Sequence, residues 1–242
     1  MIYIKGHFSK IIFIYTILIG LYGLNWGLPT IERLSYFSLN SLETRSLFRI
    51  TPLESLHPDE GNILNALTNM NPSKFDFNPR FYNYPSLHIY ITGLILKISQ
   101  FLNIVEIKND KDFYLNNIHE IATIFYIGRM ICVLMSGLTA VLLFQIVKNV
   151  SNTNVAIYSS MILSFTPLWV RNLHFMQPNI PVTFWITLTI YFLINSIKQN
   201  SRKYYICSAL TSGLSLSTKY TALPFIFFPV FFYFINQKKV EK

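Results

Sequence analysis

A succession of apolar runs, each close to the length of a membrane-spanning helix, governs what this chain can fold into. Residues 121–147, 155–173, 180–197, 204–218 and 221–237 follow one another with short polar breaks, and an earlier run covers residues 11–29. A bilayer core of ~30 Å is crossed by about 20 apolar residues in helical form. Inside it every backbone N–H and C=O must be paired within the protein, so the runs are expected to be helices. The fold class expected is an all-α polytopic membrane protein of six to seven transmembrane helices. One transmembrane domain would cover residues 1–242, with a long extracytoplasmic first loop at about residues 30–120 containing amphipathic or interfacial helices.

Composition agrees and narrows the function classes. Of 242 residues, 52% are hydrophobic and only 13% charged, against roughly 25% charged in soluble domains. That excludes a disordered chain and a disulfide scaffold. Cys132 and Cys207 lie inside apolar runs with no neighbouring His or Cys, as packing residues would. The net charge of +9 invites a nucleic-acid reading, but its distribution argues against one. Residues 30–120 are acidic by two, whereas the bases of residues 121–242 are scattered between apolar runs with Glu241 as their sole acid. A nucleic-acid binder would gather them on one polar face.

The same charges orient the chain. Lys5 and Lys10 place the N-terminus in the cytoplasm. The segment at residues 85–104 is long enough to span. If it only enters the interface, Lys148, the Lys198/Arg202/Lys203 turn and the Lys238/Lys239 tail all fall in the cytoplasm. If it crosses, that turn lands outside, against the positive-inside tendency. The first arrangement is preferred: an integral, multi-pass cell-membrane protein whose loop, holding ten of the eleven acids, faces outward.

Three groups of residues there have chemical potential. His57-Pro58-Asp59-Glu60 reads as the start of a helix reaching about residue 70, with Pro at its first turn and acids complementing the positive helix end. The helix could lie flat on the membrane, and its carboxylate could remove a proton from an acceptor hydroxyl. Arg171 with His174 sits at the outer end of the third run, where an Arg often merely snorkels. Lys219, in Leu216-Ser217-Thr218-Lys219-Tyr220, is the sole charge between two apolar helices, and a lipid-linked phosphate is its natural partner. Arg129, a weaker case, reads as a helix-to-helix pairing group for Glu120 or a backbone carbonyl. A base for the incoming hydroxyl and fixed positive charge for a departing phosphate are what sugar transfer from a polyprenyl phosphate requires.

Four motifs carry a family likeness: His57-Pro58-Asp59-Glu60, Asn83-Tyr84-Pro85-Ser86-Leu87, Gly128-Arg129, and Gly213-Leu214-Ser215-Leu216-Ser217-Thr218-Lys219-Tyr220. In their order and spacing the chain resembles the dolichyl-phosphate-mannose–protein mannosyltransferase-like and aminoarabinose-transferase-like glycosyltransferases of the GT-C superfamily. The likeness runs over residues 11–235 and corresponds to the family's N-terminal half. It implies a membrane enzyme that uses a polyprenyl-phosphate sugar with inversion at the anomeric carbon. Asp59 would be the catalytic base or its close partner, with Glu60 supporting it. The Lys matching Lys219 would hold the donor phosphate; Arg171, by its charge and position at the outer end of its run, is a second phosphate candidate. His57, Tyr84, His174, Asn179 and Tyr220 would act in support or on the acceptor side. The sugar, acceptor and lipid length are unspecified.

Two departures matter. The family usually carries an Asp in its second outside loop, where this chain reads His174-Phe175-Met176-Gln177-Pro178-Asn179-Ile180-Pro181. Family members are also commonly about twice as long, so a second chain or a missing C-terminal half is an expected partner. The alternative function is therefore a catalytically silent polyprenyl-phosphate-binding or assembly subunit; a transporter ranks last. Convergence of His57, Asp59 and His174 on a divalent metal is compatible with the sequence but not demanded by it.

Overall fold

The structure is a computed structural model that describes the backbone of residues 3–39 and 52–240, and side chains over residues 7–35 and 52–233. The side chains of Lys5, Lys238 and Lys239, and residues Glu241 and Lys242, lie outside it. The described residues form helices without a β-strand; one isolated bridge pairs Asn71 with Asp76.

α1 (Tyr3–Leu21) starts before residue 11 and stops short of residue 29. Gly23 and Gly27, at φ +78° and +71°, occupy the left-handed region that only glycine adopts cheaply, and they turn the chain back across the end of α1. α2 (Ile31–Leu39) and α3 (Pro58–Thr68) follow. α3 does not lie free on a surface. Its Ile63 and Ala66 are buried in a cluster with Tyr84, Ile89, Ile121 and Phe125. α4 (Leu87–Phe101) has 15 residues, about 22 Å at 1.5 Å per residue. α5 (Lys111–Asn116) leads into α6 (Ile118–Val150), the 33-residue central helix.

The run at residues 155–173 is not one helix. It divides into α7 (Thr153–Phe165) and α8 (Pro167–Leu173), with Thr166 extended between them. Pro167 has no N–H to donate and its ring clashes with the preceding turn, so the helix restarts there. α9 (Asn179–Gln199), α10 (Arg202–Thr218) and α11 (Leu223–Val240) complete the chain. Among the described residues, α6 and α9 are individually long and apolar enough to cross a bilayer.

α1 and α6–α11 run up and down. Toward one end, Arg129 in the first half of α6 donates to the carbonyls of Leu24 and Trp26, just beyond α1, at 2.6 and 2.7 Å. At the other end Gln145 donates to Ser9 at 3.0 Å and Lys198 to the Asn149 carbonyl. α10 is inside-out by soluble standards. Ser208, Thr211, Ser212, Ser215 and Thr218 are buried, while Ile206 and Leu210 are exposed. Thr211 accepts a hydrogen bond from Thr189 of α9 at 2.9 Å. Small hydroxylated residues between helices with apolar chains outward is how membrane helices pack, since lipid offers no hydrophobic drive for burial.

Candidate active site

The first turn of α3 shapes the site. The Ser55 hydroxyl and the backbone of His57 form a tight local turn, and Pro58 takes the first helical position. Successive helical residues point about 100° apart, so Asp59 and Glu60 face different surroundings. Glu60 turns inward and is fully buried. Its carboxylate accepts from Arg129 Nε at 2.9 Å, Arg129 Nη2 at 2.7 Å and the Met176 backbone N–H at 2.8 Å. Arg129 is itself 1% exposed, and the Leu24 and Trp26 carbonyls take its remaining donor. Its guanidinium lies 5.4 Å from the Phe175 ring centre, and His57 stacks on Phe175 at 4.2 Å. This one ion pair therefore joins α3, α6, the turn after α1 and the loop before α9.

Asp59 is partly exposed and makes no hydrogen bond or ion pair among the described residues. Its charge reaches Tyr84. Burial, chiefly, and Asp59 push the Tyr84 phenol well above its ordinary pKa, so it stays protonated. The hydroxyl is buried without a hydrogen-bond partner among the described residues. Tyr84 lines a cavity of about 380 Å³ walled by aromatic rings, among them Phe77, Phe81, Tyr90 and Tyr220. The Asn83–Leu87 and Lys219–Tyr220 motifs, far apart in sequence, therefore meet across one cavity.

Lys219 points the other way. α10 ends at Thr218, and Lys219 is extended before a short 3-10 turn over Tyr220–Ala222. Its ammonium donates to Asn179 Oδ1 at 2.6 Å. Asn179 in turn donates to Asn172 Oδ1 at 3.0 Å and Gln177 Oε1 at 3.1 Å. No carboxylate of the described residues stands within ion-pair distance of Lys219. A half-buried cation with a neutral partner is a ready anion site.

A model of the family described as dolichyl-phosphate-mannose-protein mannosyltransferase matches residues 122–242. The chain belongs to this family. No curated protein and no solved structure matches it. Membership makes this mannosyltransferase-family chain a membrane glycosyltransferase of the GT-C type, and the family implies a polyprenyl-phosphate sugar donor. The matched stretch contains Gly128-Arg129, Asn179 and Lys219. Asp59, Glu60 and Tyr84 precede it and rest on motif and geometry alone.

Other expected residues of this mannosyltransferase-family chain lie differently. Arg171 is exposed on α8 and lines neither that cavity nor a smaller one bordered by Trp169, Asn172 and Asn179. His174 has its ring nitrogens 2.6 Å from the Val170 carbonyl and 2.7 Å from the Tyr22 carbonyl, so it ties α8 to the end of α1. With both nitrogens engaged, His174 does not fit a metal site, and no group of three potential ligands occurs among the described residues. Glu120 is not the partner of Arg129. It accepts from the Glu106 N–H at 2.8 Å and pairs with His119. Phe175, Asn172 and Gln177 were not singled out by the sequence. The one hint was their place beside Asn179.

Proposed function

We propose that the chain transfers a sugar from a polyprenyl-phosphate donor to a hydroxyl acceptor at the extracytoplasmic face, by inverting displacement. Asp59 takes the proton of the acceptor hydroxyl as its oxygen bonds to the anomeric carbon. The bond from that carbon to the phosphate oxygen breaks, and polyprenyl phosphate leaves with the electron pair, its charge met by Lys219. The aromatic cavity suits a sugar, whose C–H faces pack on rings. Tyr84 forms part of its wall, and its buried hydroxyl has no hydrogen-bond partner among the described residues. Glu60 is assigned to positioning Asp59, because its oxygens are already taken by Arg129 and Met176.

The observation that carries this reading is the juxtaposition at Lys219–Tyr220. One residue is a cation with no carboxylate of the described residues within ion-pair distance; the next walls an aromatic cavity whose Tyr84 feels Asp59. Orientation follows from charge. Lys148, Lys198, Arg202 and Lys203 lie at the opposite end of the bundle, which the positive-inside tendency places in the cytoplasm. α4, shorter than the ~30 Å core, suits an interfacial position.

The test is Asp59→Asn in vesicles supplied with a polyprenyl-phosphate sugar. Sugar transfer should vanish while insertion and polyprenyl-phosphate retention persist. Unchanged transfer would overturn Asp59 as base. Asn179, standing where the family carries an acid, favours one second reading, the silent binding subunit. Wild-type chain that retains the lipid phosphate and transfers nothing would select it.

A further inference from the structure

The surroundings of Asn179 are built for an amide. Asn172 donates through Nδ2 to the Leu168 carbonyl at 2.7 Å. Its Oδ1 accepts from Gln177 Nε2 at 2.8 Å and from Asn179 Nδ2 at 3.0 Å. Gln177, itself 4% exposed, donates also to the Asn172 carbonyl at 3.2 Å. Its Oε1 accepts from Asn179 Nδ2 at 3.1 Å. Every bond in this chain runs in one direction. Both hydrogens of the Asn179 amide are used, and its oxygen is left facing the Lys219 ammonium.

An ionised carboxylate at position 179 has no hydrogen to give. Two of its neighbours would present it with acceptor oxygens, and it would form an ion pair with Lys219 at the present 2.6 Å. The geometry points to Asn179 as a positioning residue that fixes the Lys219 ammonium and leaves its charge free for a phosphate. The Asn172–Gln177 pair fixes the amide itself. Asn179 thereby sets the preference of the site for an anionic over a neutral lipid. This rests on the reading of Lys219 as the donor-phosphate ligand.

Farnesyl phosphate and farnesol, which differ only in the phosphate, are suitable probes for binding to purified full-length chain in nanodiscs. Wild type should prefer the phosphate, and Lys219→Met should abolish that preference. Asn179→Asp should cut farnesyl phosphate affinity at least about tenfold and leave farnesol affinity unchanged, a split that a general packing defect would not produce. Lost preference in Lys219→Met with wild-type preference in Asn179→Asp would overturn this inference and spare the phosphate reading. Wild-type preference in Lys219→Met would overturn both. Should Asn179→Asp fail to fold, Gln177→Leu decides. It removes one acceptor holding the amide and should weaken farnesyl phosphate selectively; an unchanged preference would refute the positioning role.

Discussion

Replacing Glu60 with Leu should be among the most damaging single changes to this fold. It strands Arg129, 1% exposed, with only the Leu24 and Trp26 carbonyls as partners, and leaves the Met176 N–H without its acceptor. Breaking one side of a buried pair costs about 3–5 kcal/mol. Arg129→Met should cost a similar ~3–5 kcal/mol, because it leaves a buried carboxylate. If the two residues acted independently, the double variant would lose about 6–10 kcal/mol, the sum of those penalties. It removes both charges at once, so it should cost no more than the worse single variant. At roughly 2–4 °C per kcal/mol for a chain of this size, each single change lowers Tm by about 6–20 °C. Thermal unfolding in detergent can be followed by tryptophan emission, with Trp26 adjoining the pair as a local reporter. Additive losses in the double variant, or a Glu60→Leu cost below about 1 kcal/mol, would refute the buried-pair account.

Gly128→Ala would place a methyl 2.8 Å from Met176 Cγ and nearer still to its sulfur. A cost of about 1–3 kcal/mol is expected, with reduced transfer as the loop before α9 is displaced. Met176→Ala should restore both, as read by thermal unfolding and a transfer assay. Tyr84→Phe should keep or raise stability at neutral pH, by up to about 1–3 kcal/mol, because a buried hydroxyl with no partner among the described residues costs free energy; slowed transfer would mark a role for the hydroxyl in the reaction. The phenol's pKa is raised above 10.0 in the fold, so above pH 10 the unfolded chain binds fewer protons and stability falls as pH rises. Tyr84→Phe should make that alkaline decline shallower in unfolding measurements.

Local signals in the sequence were faithful and tertiary ones were not. Pro58 with two acids behind it marks a helix start, and α3 begins there, because first-turn chemistry depends on neighbours in sequence. The apolar runs locate helices for the same reason. Their ends were less legible: Gly23 and Gly27 end α1 inside a run that stays apolar. Pro167 was a visible break inside an expected single crossing. The pairing of Glu60 with Arg129 spans 69 positions, and nothing local announces it. Yet Glu120 was excludable. Nine residues along one helix turn about 900°, which puts Glu120 and Arg129 on opposite faces. The same arithmetic separates Asp59 from Glu60. The amides Asn172 and Gln177 gave no signal, since polar residues beside a helix end are ordinary.

The candidate site lies where helices stop, and backbone satisfaction gives a reason. A helix end releases backbone groups that need partners from elsewhere in the protein. Here Tyr22, Leu24 and Trp26 release carbonyls beyond α1, and Met176 presents an N–H before α9. His174, Arg129 and Glu60 take up these groups. These polar side chains therefore satisfy the breaks and tie the ends of α1, α3 and α9 to α6. Once locked, that end can carry an aromatic cavity and a cation held by a neutral amide without opening the bundle. Of the two neighbouring carboxylates, the buried one holds this frame, and the partly exposed Asp59 is left available for chemistry.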